Sequence, residues 1–221
     1  MRIALFDLDN TLLSGDSDVE WPRFLIAKGI LDAESTAREN DRFFEHYKAG
    51  TLDIQAFLAF QLSPLGRFKR AELDELHREY MRQHILPLIS DKARALVKQH
   101  QDAGDLVLII TATNRFVTGP IAREFGIEHL IATEPEIIDG EYTGKPTGIP
   151  CFQAGKITRL QHWLQERGAK LTDFAASWFY SDSRNDLPLL QQVTHPVAVD
   201  PDDTLRAHAQ QHGWPVISLR S

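Results

Sequence analysis

The chain has 221 residues, 43% hydrophobic and 25% charged, with a formal net charge of −7. That length suits one large domain, or one domain with a sizeable insertion, and the composition is that of a globular protein rather than a disordered or membrane-spanning one. The acidic balance argues against nucleic acid or an anionic membrane as the main partner, and the single Cys151 excludes an internal disulfide and points to a reducing, cytoplasmic setting.

The opening stretch IALFDLDNTLL begins as a buried strand, Ile3 to Phe6, and then places Asp7 and Asp9 at its end. Its apolar run is too short for a signal sequence and is broken by Asp7. Two carboxylates there disfavour each other's charge unless a cation or hydrogen-bond donors offset the cost. A solvated turn capped by an aspartate is the plain alternative.

Residues 15–86 carry no strand pattern. They read as amphipathic helices: DVEWPRFLIAKGI, ESTARENDRFFEHYKAG, DIQAFLAFQL and RAELDELHREYMRQHI. A parallel crossover needs only one helix, so this segment is an insertion, a helical cap on a core formed by residues 1–14 and 87–221. Strands are expected after it at 106–112, 129–133, 178–182 and 196–200, with PVISL as a last edge strand. Helices are expected at 92–103, 116–125, 156–167 and 203–211. Strand alternating with helix is the pattern of an α/β fold with a Rossmann-like parallel sheet. Ligands of such sheets bind beyond the carboxyl ends of the strands. The insertion leaves from that edge and is placed as a lid.

The polar residues after each apolar run should therefore converge: Asp7 and Asp9, Thr111 with its neighbour Ala112, and Asp182 and Asp186 of SDSRND. Lys156 joins them from the helix start AGKITRL. Each has an ordinary structural reading as well. Thr111 suits a strand end, Asp182 a polar turn, and Asp186 the N-cap of the following LPLL. Lys156 is more telling, because a cation in a helix's first turn opposes the macrodipole by roughly 0.3–1 kcal/mol. Together the set makes chemical sense. Asp7 and Asp182 can hold a divalent cation such as magnesium, which takes one or two carboxylates plus waters and phosphate. Lys156 and the Thr111 hydroxyl can bind the remaining phosphate oxygens. One of the first two aspartates can then attack and the other move a proton.

DLDNT, a threonine after LII, a lysine opening a helix, and DSRND, in this order, resemble the haloacid dehalogenase-like phosphohydrolases over nearly the whole chain. TATN, DGEYTG and SDSRNDLPLL are most similar to the phosphoserine-phosphatase-like branch, subfamily IB, and the insertion to its C1-type cap. The resemblance implies a magnesium-dependent hydrolase of small phosphate monoesters. Asp7 would be the nucleophile that forms an aspartyl-phosphate, and Asp9 the general acid and then base, with its carbonyl on the metal. Thr111 and Lys156 would hold the phosphoryl group, assisted by backbone donors at Asn10 and Ala112. Asp182 would ligate Mg2+ directly, with Asp186 in support. Asp16 stands where the branch carries a substrate-binding acid. The arginine that would hold a substrate carboxylate falls near Gln61, and an amide cannot replace its bidentate contact. Arg23, Arg38, Arg42 or Arg67 would have to substitute. Phe57 and Phe60 read as cap core rather than substrate contacts. A phosphomutase on the same core and a phosphoserine-specific phosphatase are the alternatives. A receiver-type signalling domain is too short and lacks the helical lid. The expected partner is a small phosphorylated metabolite, with the chain a monomer or a small homo-oligomer.

Overall fold

In the computed structural model, residues 1–49 and 51–220 are described. The first strand, β1 (Arg2–Phe6), sits at the centre of a seven-stranded sheet. Its side chains alternate as strand geometry requires. Ile3 and Leu5 join a core on one face with Leu108, Ile110 and Phe179. Ala4 and Phe6 join the opposite core with Ile109 and Tyr180. Both faces being apolar, β1 has no solvent side, as its unbroken apolar run implies.

The insertion after β1 carries four α-helices: α1 (Ser17–Ala27), α2 (Ala33–Lys48), α3 (Ile54–Leu62) and α4 (Arg70–Tyr80). The helix expected over 34–50 ends at Lys48, and Gly50 lies outside the described residues. The insertion is partly built into the main core. Trp21, Phe24, Leu62, Leu73 and Tyr80 share one apolar cluster with Phe6, Phe116 and Val117, whereas α2 contributes nothing to it among the described residues. Phe43 of α2 packs instead on Phe57 and Phe60 of α3, with ring centroids 5.4 and 5.5 Å away.

The sheet half continues with α5 (Asp91–Asp102), β2 (Leu106–Asn114), α6 (Arg115–Glu124), β3 (His129–Ile138) and β4 (Glu141–Thr147). It ends with α7 (Ala154–Gln165), β5 (Ala176–Ser181), α8 (Leu187–Leu190), β6 (His195–Val199), α9 (Asp203–His212) and β7 (Val216–Ile217). The strand order is β4-β3-β2-β1-β5-β6-β7. Every pairing is parallel except β3–β4. The α/β fold is therefore as read, with one addition: β4 is a strand that the helix-and-strand alternation does not reveal. It forms a hairpin with β3 through Asp139 and Gly140, both at positive φ (51° and 83°), the two-residue turn that an Asp-Gly pair favours. The hairpin also seats the insertion. A side chain at Gly66 would meet the Thr143 carbonyl oxygen at 2.6 Å, so the turn after α3 lies directly on β4. No helix among the described residues is long and apolar enough to cross a membrane.

Candidate active site

The site forms where the strand ends run out of partners. The amide of Asp7 prolongs the sheet by donating to the Tyr180 carbonyl at 2.9 Å. The chain then turns sharply at Asn10, whose backbone is left-handed (φ 56°), a conformation asparagine tolerates better than most residues. The Asn10 N–H, expected to face a phosphate, donates instead to the Gly15 carbonyl at 2.8 Å. Thr11 ties two strand ends together. Its hydroxyl lies 3.4 Å from Asp7 Oδ2 and 3.2 Å from Asp182 Oδ1, and accepts the Asp182 N–H at 3.0 Å.

Lys156, in the first turn of α7, is 5% exposed. Its ammonium donates to Asp7 Oδ1 and to Asp186 Oδ2, each at 2.8 Å. The helix can start this deep because residue 155 is glycine: a Cβ there would lie 2.0 Å from the Pro150 carbonyl oxygen. Asp186 stands at the N-cap position of α8 but makes no side-chain cap. Its carboxylate serves Lys156 and accepts from Ser181 Oγ at 2.7 Å. The physical reason is one of magnitude: an unpaired buried charge costs several kcal/mol, a missing cap about 1.

Asp9 is held from both sides. Oδ1 accepts from the Ser17 N–H (2.6 Å) and hydroxyl (2.5 Å), and Oδ2 from the Thr113 hydroxyl (2.7 Å), with the Thr111 hydroxyl at 3.3 Å. Asp16 caps α1, accepting from the Asp18 and Val19 N–H groups at 2.9 and 3.2 Å. Ala112 continues β2 beside Thr111, its carbonyl accepting from Thr133 Oγ1 at 2.7 Å. All nine residues singled out from the sequence line one cavity of about 260 Å3, together with Asp18, Phe57 and Gln61 from the helical side.

Burial shapes the electrostatics. It pushes Asp7 up to about 7, opposed by Lys156 and assisted by the charge of Asp186. It pushes Asp182 to about 8, with Asp7 adding repulsion. Asp9 rises to about 6 through burial and the charge of Asp16, restrained by its bonds from Ser17 and Thr113. Burial works against the Lys156 ammonium, but Asp186 and Asp7 outweigh it and hold the group above its ordinary value. Asp7 and Asp182 together thus lack sufficient positive charge, the signature of a place for a cation. Among the described residues no three His, Cys, Asp or Glu side chains cluster as a metal cage. Two carboxylates suit a cation that keeps waters and takes substrate oxygen.

Several site residues carry little sequence signal. Thr113 follows Thr111 by two, so both face the same side of a strand end, which was the available hint. Ser17, Asp18 and Arg220 had none. Arg220 reaches back from the C-terminal segment, its guanidinium donating to the carbonyls of Asn10 (2.5 Å) and Leu13 (2.8 Å). Phe57, expected as cap core, is half-buried and lines the cavity. Of the arginines that could have replaced the one missing at Gln61, Arg23, Arg38 and Arg42 are paired with Glu20, Glu34 and Glu39, and Arg67 is exposed. No arginine lines the catalytic cavity among the described residues.

This arrangement, two aspartates after the first strand, a buried lysine and a further acidic pair at the carboxyl edge of a parallel sheet, agrees with the family comparison. The model of the haloacid dehalogenase-like hydrolases matches residues 4–191, and the chain belongs to that family. Within it the chain is a phosphatase. It is 50% identical over 220 residues, 99% of each chain, to a histidinol-phosphatase of Neisseria meningitidis serogroup C. It is 33% identical to phosphoserine phosphatase SerB1 of Mycobacterium tuberculosis, covering 98% of this chain and 70% of that one. A crystal structure of a protein of unknown function from Bordetella pertussis Tohama I superposes with a TM-score of 0.94 at 48% identity, over 99% of both chains.

Proposed function

We propose that the chain is a Mg2+-dependent phosphohydrolase that releases phosphate from histidinol phosphate through an aspartyl-phosphate on Asp7. The observation that carries the chemistry is the Lys156 ammonium, 2.8 Å from both Asp7 and Asp186, beside an Asp182 carboxylate that pairs with no cation among the described residues. In this reading Asp7, Asp182 and the Asp9 carbonyl hold Mg2+, with Asp186 in support. When bound, the cation neutralises the carboxylates and the charge that builds on the phosphoryl oxygens. An Asp7 carboxylate oxygen attacks phosphorus, and the bond to the leaving oxygen breaks. Asp9, poised near neutrality, gives that oxygen its proton. Water then attacks the phosphorus of the aspartyl-phosphate, Asp9 takes its proton, and the Asp7 carboxylate departs as inorganic phosphate forms. Lys156, Thr111 and the Ala112 backbone face the phosphoryl group throughout. The helices of residues 15–86 act as the lid, with Asp16 in its inner wall.

The substrate assignment is supported by the relative that matches over the full length of both chains. Phosphoserine is disfavoured because Gln61, and no arginine among the described residues, meets the cavity. The test is released phosphate from purified protein given histidinol phosphate, phosphoserine or glycerol phosphate, with Mg2+ or with EDTA. Histidinol phosphate should be hydrolysed at least tenfold more efficiently than the others, and only with metal. Undiminished turnover in EDTA would remove the metal from the proposal, phosphoserine preference would replace the substrate, and phosphate transferred to a second alcohol without release would make the protein a mutase.

A further inference from the structure

The catalytic cavity, about 260 Å3, is smaller than the ~300–1,000 Å3 in which proteins enclose whole small ligands. A phosphoryl group with its cation leaves little room there for the rest of a substrate. A second cavity of about 580 Å3 lies against it among α1, α2 and α3, and the two share Asp16, Asp18, Phe57 and Gln61 as walls. Its polarity is one-sided. Asp16, Asp18 and Asp41 border it, and its one cation among the described residues, Arg23, is already paired with Glu20 at 2.6 Å.

Asp16 and Asp18 differ in a way that matters. The Asp16 carboxylate is committed to the start of α1. That of Asp18 accepts no hydrogen bond from any described residue, although it is half-buried at the junction of the two cavities. A half-buried carboxylate with no protein donor keeps its acceptor sites open toward the cavities, where a ligand's N–H can take them. Phe57 stands at the same junction from α3, offering an aromatic surface that can stack on a planar group or face a cation.

We propose that the second cavity is the leaving-group chamber, in which Asp18 receives a substrate ammonium and Phe57 packs against a planar ring. The proposal rests on the phosphatase reading of Asp7 and Asp9 and gives that site its selectivity: phosphate esters of cationic, ring-bearing amino alcohols enter, and carboxylate-bearing ones meet the field of three aspartates. Histidinol phosphate, with its ammonium and imidazole, has this chemistry.

Four esters separate the elements: histidinol phosphate (cation and ring), phosphoethanolamine (cation alone), phenyl phosphate (ring alone) and glycerol phosphate (neither). Asp18→Asn should reduce the kcat/KM of the two cationic esters relative to phenyl phosphate by about ten- to a hundredfold, the range for one charge-assisted contact, with the loss in KM. Phe57→Leu, on a different helix, should reduce the two ring-bearing esters relative to phosphoethanolamine. Calorimetry with histidinol itself, on protein carrying Asp7→Asn, reads the chamber without catalysis. Binding should be present there and lost on adding Asp18→Asn. If esters are hydrolysed but both ratios move less than twofold and histidinol does not bind, the chamber proposal is wrong and the catalytic one stands. If histidinol binds through Asp18 but no ester releases phosphate, the reverse holds.

Discussion

The two walls of the catalytic cavity treat charge differently. On the sheet side each ionised group is tied: Lys156 to Asp7 and Asp186, Asp186 also to Ser181, and Asp9 to Ser17 and Thr113. On the helical side Asp16 is spent on capping α1, Asp18 accepts no hydrogen bond from any described residue, Gln61 is a neutral amide, and Phe57 offers only a surface. Tied groups arrive pre-aimed and need no reorganisation when charge develops, which is how a site lowers a barrier. Untied groups wait for a ligand to complete them, which is how a site selects. In the proposed reading chemistry and choice are divided between the strand ends and the insertion, and substitutions on the two walls should then fail in different ways.

Asp7→Asn should give the largest effect. It keeps the shape and the Lys156 contact but removes the attacking oxygen, so turnover of every phosphate ester should fall together by at least ~10⁴-fold. Asp9→Asn should follow at about 10²–10⁴-fold, the usual worth of a general acid. Initial rates of phosphate release across the four esters, with circular dichroism as a fold control, check both. A loss confined to one ester would mean that these residues select rather than react.

Lys156→Met breaks the tied wall itself. Asp7 and Asp186 are left buried without their cation, and removing one partner of a buried ion pair costs about 3–5 kcal/mol. Urea unfolding should show that loss, and the further change Asp186→Asn should recover part of it. An unchanged midpoint would mean that solvent already screens the pair.

The same division explains what could be read from the chain alone. Apolar strands ending in Asp7, Thr111 and Asp182, and the helix start at Lys156, are local patterns, so the α/β fold and the sheet-side residues were legible. Asp186 was legible as a position but not as a partner: its neighbours in sequence suggest a cap, and its neighbours in space include a lysine 30 residues away. The β4 strand was obscured by its glycine and proline, although Asp139-Gly140 marked its turn. On the helical side the reading weakens because helical period locates an apolar face but not which half-buried residues meet a cavity. Phe57 was assigned to the cap core for that reason, and Asp18 looked like any acidic residue in a first turn.

Arg220 extends the tied wall from the far end of the chain. It donates to the carbonyls of Asn10 and Leu13, and its backbone is itself held, since Lys92 donates to the Arg220 carbonyl at 2.6 Å. The left-handed turn at Asn10 directs its N–H to the Gly15 carbonyl and so closes the loop between Asp9 and Ser17. Arg220→Ala should lower kcat about tenfold, from the loss of charge-assisted contacts worth roughly 1.5–3 kcal/mol when intact. KM should change little and the ester preference not at all, with partial rescue by Arg220→Lys. A shift in preference instead would tie this residue to the selecting wall.

The smallest effect should be a gain in stability. Burial, with the charges of Asp16 and Asp9, raises Asp18 to about 8 from an ordinary 3.8. Below about pH 4 the group is protonated in both the folded and unfolded chain, and it contributes no pH-dependent penalty. Between pH 4 and 8 the unfolded chain releases the proton that the folded one retains, so folding binds more protons and stability falls as pH rises. Above about pH 8 the cost is fully developed. Asp18→Asn removes it, and Asp16 and Asp9 remain in both proteins, so their own titrations largely cancel in the difference. Because Asp18 is partly solvated, its full shift is discounted, leaving about 1 kcal/mol at pH 8.5, or roughly 2–4 °C in Tm for a chain of this size. Thermal melts of the two proteins should coincide near pH 4 and separate progressively to pH 8.5, with the variant higher. Histidinol should then close the gap by stabilising only the natural chain, since a bound ammonium supplies the donor that Asp18 lacks. Parallel melting curves at every pH would show that this carboxylate is solvated in the free protein, and that the helical wall holds its charge in readiness at no cost to the fold.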